Sequence, residues 1–162
     1  MLIGIIGDTH DQVQELKTTI KQLIEHKIDT LIHVGDWVSA FTLEYYKPIK
    51  CPIVGVWGNN VGDYRFPLLA EKNGLNLHIE EDLSLELGGK KVQVCHEYHE
   101  PQSDVDIFIY GHDHKAKIER KDNILKINPG TLLRETFPWL TGKPSYALYD
   151  TVSTEAKIYW LE

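Results

Sequence analysis

Cysteine is scarce in this chain: Cys51 and Cys95 are the only two among 162 residues. They stand at no metal-ligand or redox spacing. That excludes a disulfide framework and Cys-x-x-Cys chemistry, and it fits reduced thiols in a cytosolic protein. Long apolar runs are absent too, so no stretch reaches the length of a membrane span. The opening Met1-Leu2-Ile3-Gly4-Ile5-Ile6-Gly7-Asp8 has no basic region, and its apolar run is too short for a signal peptide. The sequence reading therefore expects a cytoplasmic protein. Positive charge is not in excess. With 17 Lys and Arg against 24 Asp and Glu, the net charge is -7, which argues against an extended nucleic-acid face. No solenoid-period repeat, low-complexity segment, or serine or cysteine nucleophile motif is present.

What is there is an ordinary globular composition, 42% hydrophobic and 25% charged. The length suits a single domain over residues 1–162, with no linker-like stretch to divide it. Leu2 to Ile6, Thr30 to Val34 and Pro52 to Trp57 read as short buried strands. Between them a helix is expected from Gln12 to Lys27, with Asp11 as its N-cap, and a short helix to Tyr46 capped by Ser39. A further helix is expected over Asp63 to Lys72, stopped by Asn73-Gly74. The pattern then changes to hairpins. Leu83 to Leu87 and Lys91 to Cys95 flank Gly88-Gly89, and Lys115 to Arg120 and Ile124 to Asn128 flank Asp122-Asn123. Asp106 to Tyr110 is another buried strand. Pro129-Gly130 opens a loop to about Pro144, and Ser145 to Asp150 and Glu155 to Leu161 form a last pair. Strand-helix-strand followed by hairpins points to two sheets with helices outside, a layered α/β domain.

Four apolar runs end alike, in a glycine and then a metal-capable side chain. They are Ile6-Gly7-Asp8, Val34-Gly35-Asp36, Trp57-Gly58-Asn59 and Tyr110-Gly111-His112. A fifth, ending at Cys95, leads directly into His96. Ligand sites in layered α/β folds lie at the carboxyl ends of strands, where a glycine lets the backbone turn sharply and approach a ligand. Convergence of these ends gathers Asp8, Asp36, Asn59, His96 and His112, with His10 and His114 two residues further along the same loops. These seven O and N donors suit divalent Mn, Fe, Co, Ni or Zn, and they are too many for one tetrahedral ion. His112 and His114 either chelate one ion together or point at two neighbouring ions.

The Gly7-Asp8-Thr9-His10, Gly35-Asp36, Gly58-Asn59, His96 and Gly111-His112-Asp113-His114 motifs, in that order, resemble the calcineurin-like metallophosphoesterases. The small single-domain phosphodiesterase branch is the nearest match, and Asn128-Pro129-Gly130-Thr131 resembles a turn common in it. The resemblance implies a four-layer α/β/β/α sandwich of two mixed sheets flanked by helices. It implies one ion held by Asp8, His10 and His114, another by Asn59, His96 and His112, and Asp36 bridging them. Asp36, Asn59 and His96 would then surround a hydroxide bridging the ions, which attacks a phosphate ester in line. The expected partner is a small phosphate-ester substrate, and a homo-oligomer is left open.

Two motifs depart from the family pattern. Asn60 stands where members usually carry cysteine or histidine, and an amide cannot serve as a general acid near neutral pH. Asp63 is a candidate replacement for the aspartate that usually follows. His96-Glu97-Tyr98-His99 replaces the usual His-Gly-His, so His99 is displaced by one residue. Asn60, His99 and Arg134, with Arg65 beside them, are the candidate substrate contacts; for both arginines the alternative is a solvated surface charge. Trp37 and Trp57 either pack the core or stack on a substrate ring, and His26, His33 and His78 are read as structural. Weak leaving-group protonation, and so a preference for activated esters, is expected. Besides a phosphodiesterase, the same residues allow a phosphomonoesterase or a non-catalytic scaffold, the role of a retromer subunit with this fold.

Overall fold

The computed structural model of the protein describes residues 1–134 and 143–162. Residues 135–142 of the loop expected from Pro129 to Pro144 lie outside the described residues. Along the chain run β1 (Leu2–Ile6), α1 (Val13–His26), β2 (Thr30–His33), a short 3-10 turn (Ala40–Thr42), α2 (Leu43–Tyr46), β3 (Ile53–Val56), α3 (Phe66–Lys72) and β4 (Leu77–Glu80). There follow β5 (Leu83–Leu87), β6 (Lys90–Val94), β7 (Ile107–Ile109), β8 (Lys117–Lys121), β9 (Ile124–Asn128), β10 (Ser145–Asp150) and β11 (Glu155–Trp160). They form two mixed sheets of α/β type. The first has the order β11-β10-β1-β2-β3-β4, and the second β5-β6-β7-β9-β8.

The central strands β1, β2 and β3 run parallel, as do β6, β7 and β9. Strands buried on both faces need apolar residues at nearly every position, which is why Leu2–Ile6 reads as one continuous run. Its side chains divide by alternation. Ile3 and Ile5 join Ile32, Val34, Val56, Val94, Ile107, Ile109 and Ile127 in the layer between the sheets. Ile6 faces the helices, in a cluster with Leu16, Leu23, Trp37, Tyr46 and Phe66.

Among the described residues the three α-helices all precede residue 73 and pack on the first sheet. The outer face of the second sheet carries a smaller cluster of Cys95, Phe108, Tyr110 and Ile124. Among the described residues, its cover is the irregular segment after His96, whose Tyr98 and His99 rings lie edge-on to Phe108. That segment, Glu97-Tyr98-His99-Glu100-Pro101, has no apolar stripe at helical period and contains a proline, so it does not coil.

Three expectations needed correction. β4 was not anticipated. It is a four-residue edge strand, Leu77-His78-Ile79-Glu80, that gains its ladder only by pairing parallel with β3. Asp11 does not cap α1: the N-cap position is Gln12, without a side-chain cap. Ser39 likewise makes no side-chain cap. Instead, the Asp11 carboxylate accepts the Ser39 backbone N–H at 2.9 Å and also the Ser39 hydroxyl. Two residues that suit helix caps are used to tie the loop after β1 to the loop after β2.

Replacing Asp11 by alanine should thus lower stability by about 1–2 kcal/mol through loss of this tie. Asp11→Ser, which retains a good capping side chain, should not restore it. In a denaturation double-mutant cycle, Asp11→Ala and Ser39→Ala should be strongly non-additive; additive losses would mean the two residues act independently.

Candidate metal centre

The ends of β1, β2, β3, β6 and β7 lie at one edge of the sandwich, and their loops are pressed close together. Gly58 has φ 90°, and a Cβ there would lie 2.5 Å from the Asp36 backbone nitrogen and 2.6 Å from its Oδ1. Gly35 has φ 111°, and a Cβ on it would meet His96 Nδ1 at 2.5 Å. Only glycine permits both the backbone angle and the approach. The side chains that follow are held in the left-handed region: Asp8 at φ 47°, His10 at 41°, Asp36 at 61°, His112 at 70° and His114 at 58°. Such conformations are uncommon for residues with a Cβ and cluster at functional sites.

The seven predicted donors are brought together in two groups around Asp36. Its Oδ2 lies 3.1 Å from His10 Nε2, and its Oδ1 lies 3.4 Å from His96 Nε2. On the first side, His10 Nε2 and His114 Nε2 are 3.3 Å apart, and His114 Nε2 is 3.2 Å from Asp8 Oδ1. On the second, Asn59 Oδ1 lies 2.7 Å from His96 Nε2 and 3.1 Å from His112 Nδ1, and those two nitrogens are 3.3 Å apart. Asp8, Asp36 and His96 are buried, His10 and His114 half-buried, and Asn59 and His112 exposed. The floor of the site is thus anionic and dry while its rim is open.

These residues fit a bound cation on their own evidence. Asp8 Oδ1 is fully buried and makes no well-aligned hydrogen bond, with only the ion-pair contact to His114 Nε2 at 3.2 Å beside it, a costly state for a carboxylate oxygen unless a positive charge faces it. Two imidazole nitrogens facing each other at 3.3 Å, on both sides of Asp36, have the spacing of ligands that share an ion. His96 Nδ1 donates to the Val34 carbonyl at 2.7 Å, which leaves Nε2 as the lone-pair nitrogen turned to the site. Asp8, His10, Asp36 and His114 lie close enough to hold one metal ion among them.

The charges are tuned accordingly. Burial works to raise the Asp36 pKa, but hydrogen bonds from His10 and from the side-chain and backbone N–H groups of Asn60 hold it well below the usual carboxylate range. For His114, burial works to lower the pKa, and the Asp8, Asp36 and Asp113 carboxylates outweigh it, so the net shift is upward.

Asn60 is therefore turned to Asp36. Its N–H and its Nδ2 donate to Asp36 Oδ1 and Oδ2, each at 2.9 Å. Asp63 accepts from Arg65 N, Nε and Nη2, each at 2.9 Å, so these two residues are committed to each other. Arg134 bonds Glu15 in the first turn of α1 and the Glu162 carbonyl. His99 sits on the outer face of the second sheet, with its Nδ1 bonded to the Glu100 carbonyl at 3.0 Å. Trp37 is core: its Nε1 donates to the Val56 carbonyl and its ring stacks on His33. Trp57 is half-buried beside Tyr64.

The residues that anchor the ligand loops carried a weaker sequence signal. Thr131 Oγ1 and Leu132 N both donate to the Asp8 carbonyl. Asn128 Nδ2 donates to the Gly111 carbonyl and to Asp113 Oδ1, and Asn128 Oδ1 accepts Gly130 N–H. The Asn128-Pro129-Gly130-Thr131 turn thus clasps the loops of Asp8 and of His112 and His114. The motif was visible in the sequence; its role needed the fold. An open depression of about 440 Å³ beside the cluster, lined by His10, Val38, Asn59, Asn60, Val61 and Gly62, gives a small molecule access.

The chain is similar to known proteins in both sequence and fold. The family model for the calcineurin-like phosphoesterase superfamily domain matches residues 1–154. Phosphodiesterase MJ0936 of Methanocaldococcus jannaschii is 33% identical over an alignment of 172 positions covering the whole of both chains. A solved structure of a novel archaeal phosphodiesterase superposes with a TM-score of 0.87 at 30% identity, over 99% of this chain and 100% of that one. The Vps29 protein of Entamoeba histolytica, solved with zinc, shares the fold with a TM-score of 0.71 at 23% identity, over 98% of this chain and 91% of that one. The chain belongs to the calcineurin-like phosphoesterase superfamily. It is a metal-dependent phosphoesterase, a hydrolase of ester bonds. No helix among the described residues is long and apolar enough to cross a membrane.

His33 supplies a test of the packing beneath the site. It is completely buried, its Nδ1 accepts the Gly35 N–H at 3.1 Å, and its Nε2 has no partner. Burial pushes its pKa down to about 3; the Asp36 charge works against this, while His96 and His10 add to it. Folding must then keep neutral a group that the unfolded chain protonates near pH 6.5. Stability should be fully present above that pH and fall by about 1.4 kcal/mol per pH unit as pH drops toward the folded pKa. In metal-stripped protein, chemical denaturation should show that slope, and it should be shallower in His33→Asn, whose amide oxygen can still accept from Gly35.

Proposed function

We propose that the protein is a phosphodiesterase that works with two divalent ions, of the Mn, Ni, Fe, Co or Zn class. One would be held by Asp8, His10 and His114 and the other by Asn59, His96 and His112, with Asp36 between them. The observation that carries this reading is the division of donors between the two Asp36 oxygens, His10 on Oδ2 and His96 on Oδ1. When bound, such ions supply an activated water as nucleophile and Lewis-acid stabilisation of the charge that builds on the phosphate oxygens. The name of the full-length relative, Phosphodiesterase MJ0936, supports diesters over monoesters.

The chain's own residues do the positioning. Asn60 donates to both Asp36 oxygens, so the carboxylate is fixed in rotation while each oxygen keeps a lone pair for the site. The Val34 carbonyl fixes the His96 tautomer. Buried Asp8 and Asp36 balance part of the cationic charge, leaving the centre positive enough to attract a phosphate ester. Asn59, exposed at the rim, borders the depression by which the ester enters. Asn60 has no proton to release and His99 lies on another face of the protein, so neither protonates the leaving group.

Metal-reconstituted protein should hydrolyse bis(nitrophenyl) phosphate faster than the monoester and far faster than a dialkyl phosphate. Asp36→Ala should lose at least about a hundredfold in rate together with its metal. Protein that binds two ions and turns over none of these esters would sink the catalytic reading. Equal rates on nitrophenyl and alkyl diesters, with chemistry rate-limiting, would mean that a general acid exists.

His112→Ala and His114→Ala should weaken different sites. By elemental analysis after dialysis against sub-saturating metal, each variant should retain about one ion per chain, and the double variant fewer than either. If His112→Ala and His114→Ala weaken the same single site, the two-ion assignment is wrong.

A further inference from the structure

The outer face of the second sheet brings together a second set of donor atoms, distinct from the seven. Leu83 pairs with Val94 in the antiparallel register of β5 and β6, so the next residues outward, Asp82 and Cys95, stand opposite each other. Val92 and Val94 point into the layer between the sheets. Alternation sends Cys95 to the other face, where it packs with Phe108, Tyr110 and Ile124. The chain beyond His96 folds back over that face. The His99 ring centroid lies 5.4 Å from that of Phe108. As a result an Asp82 carboxylate oxygen, Cys95 Sγ and a His99 ring nitrogen all lie within 4.8 Å of one another.

We propose that Asp82, Cys95 and His99 form a second, mononuclear metal site for a borderline-soft divalent ion of the zinc class, with its fourth position open to water. A thiolate, an imidazole and a carboxylate are the donor types such an ion prefers, whereas magnesium and calcium select oxygen alone. The Nδ1–H of His99 is used on the Glu100 carbonyl at 3.0 Å, which leaves Nε2 as the ring's lone pair. Asp82 and His99 are exposed above the buried Cys95, so the ion has a path from solvent. The nearby ammonium of Lys126 is held by the Tyr98 hydroxyl at 2.7 Å. Binding replaces the Cys95 S–H bond with a sulfur–metal bond and releases the proton to solvent. The site explains His99 without placing it in the phosphoesterase centre: the residue displaced from the family's His-Gly-His pattern is a ligand on the opposite side of β6. This inference does not depend on how many ions the phosphoesterase centre holds.

Sulfur gives the test its selectivity, because the seven donors of the phosphoesterase centre include no thiol. Reduced protein, kept so by a phosphine, is titrated with Co²⁺ and followed by the near-ultraviolet thiolate-to-cobalt charge-transfer band. The band should appear, saturate at one thiolate-bound cobalt per chain, and be bleached by Zn²⁺. It should vanish in Cys95→Ser and persist in Cys51→Ser. His99→Ala and Asp82→Ala, both at exposed positions, should each weaken cobalt binding read at this band by at least about tenfold. No band in the wild type, a band surviving Cys95→Ser, or one indifferent to both His99→Ala and Asp82→Ala would overturn the site. A band that Zn²⁺ does not displace would overturn its assignment to the zinc class.

Discussion

Two carboxylates taken almost completely out of water, Asp8 at 0% and Asp36 at 1% exposure, are the constraint on which the rest of this structure depends. A buried carboxylate is tolerated only when donors or cations surround it. Asp36 meets that requirement with the side-chain and backbone N–H groups of Asn60 and with His10 Nε2 on its Oδ2, while the His96 Nε2 lone pair faces its Oδ1. Asp8 meets it only in part: one oxygen accepts the His112 N–H at 3.1 Å, and the other has only the His114 Nε2 contact at 3.2 Å, without a well-aligned hydrogen bond. The imidazoles, the carboxamide of Asn59 and the metal dependence of the family all answer this concentration of negative charge in a dry place.

Holding those groups in place requires backbone that would not adopt its shape unaided. The left-handed conformations of Asp8, His10, Asp36, His112 and His114 occur in loops where each residue is also tied from behind. Asp11 ties to Ser39, Thr131 to the Asp8 carbonyl, and Asn128 to Asp113 and Gly111. Uncommon dihedral angles persist only where the surroundings over-determine them, and these side-chain-to-backbone bonds do so. The sheets beneath provide the rigid frame, since five strand ends in fixed register cannot shift independently of one another.

The end of β6 shows how one strand serves two faces. His96 turns toward the cleft and Cys95, its neighbour, toward the outer surface, because successive side chains of extended backbone point opposite ways. The segment that follows lies back across the outer face and carries His99 with it. His99 thus meets Phe108 on the outer face, while His96, three residues earlier, faces the cleft.

How much of this was legible in the sequence follows from which interactions are local. The apolar runs and their glycine endings are local signals, so the central strands, the hairpins and the seven donors could be named from residues alone. Gly58 and Gly35 were readable as close-approach positions because only glycine meets that need. Edge strand β4 was not readable, since four residues acquire strand character only from β3 beside them. The partners of Asp11, Asn60, Arg134 and His99 were decided by the tertiary structure alone. Each is a polar side chain with several acceptable partners, and the fold chose Ser39, Asp36, Glu15 and the Cys95 face respectively. The sequence by itself determined which donors end the strands. Only the tertiary structure decided that they meet in two groups on the two oxygens of Asp36, because that division depends on distances between loops far apart in the chain.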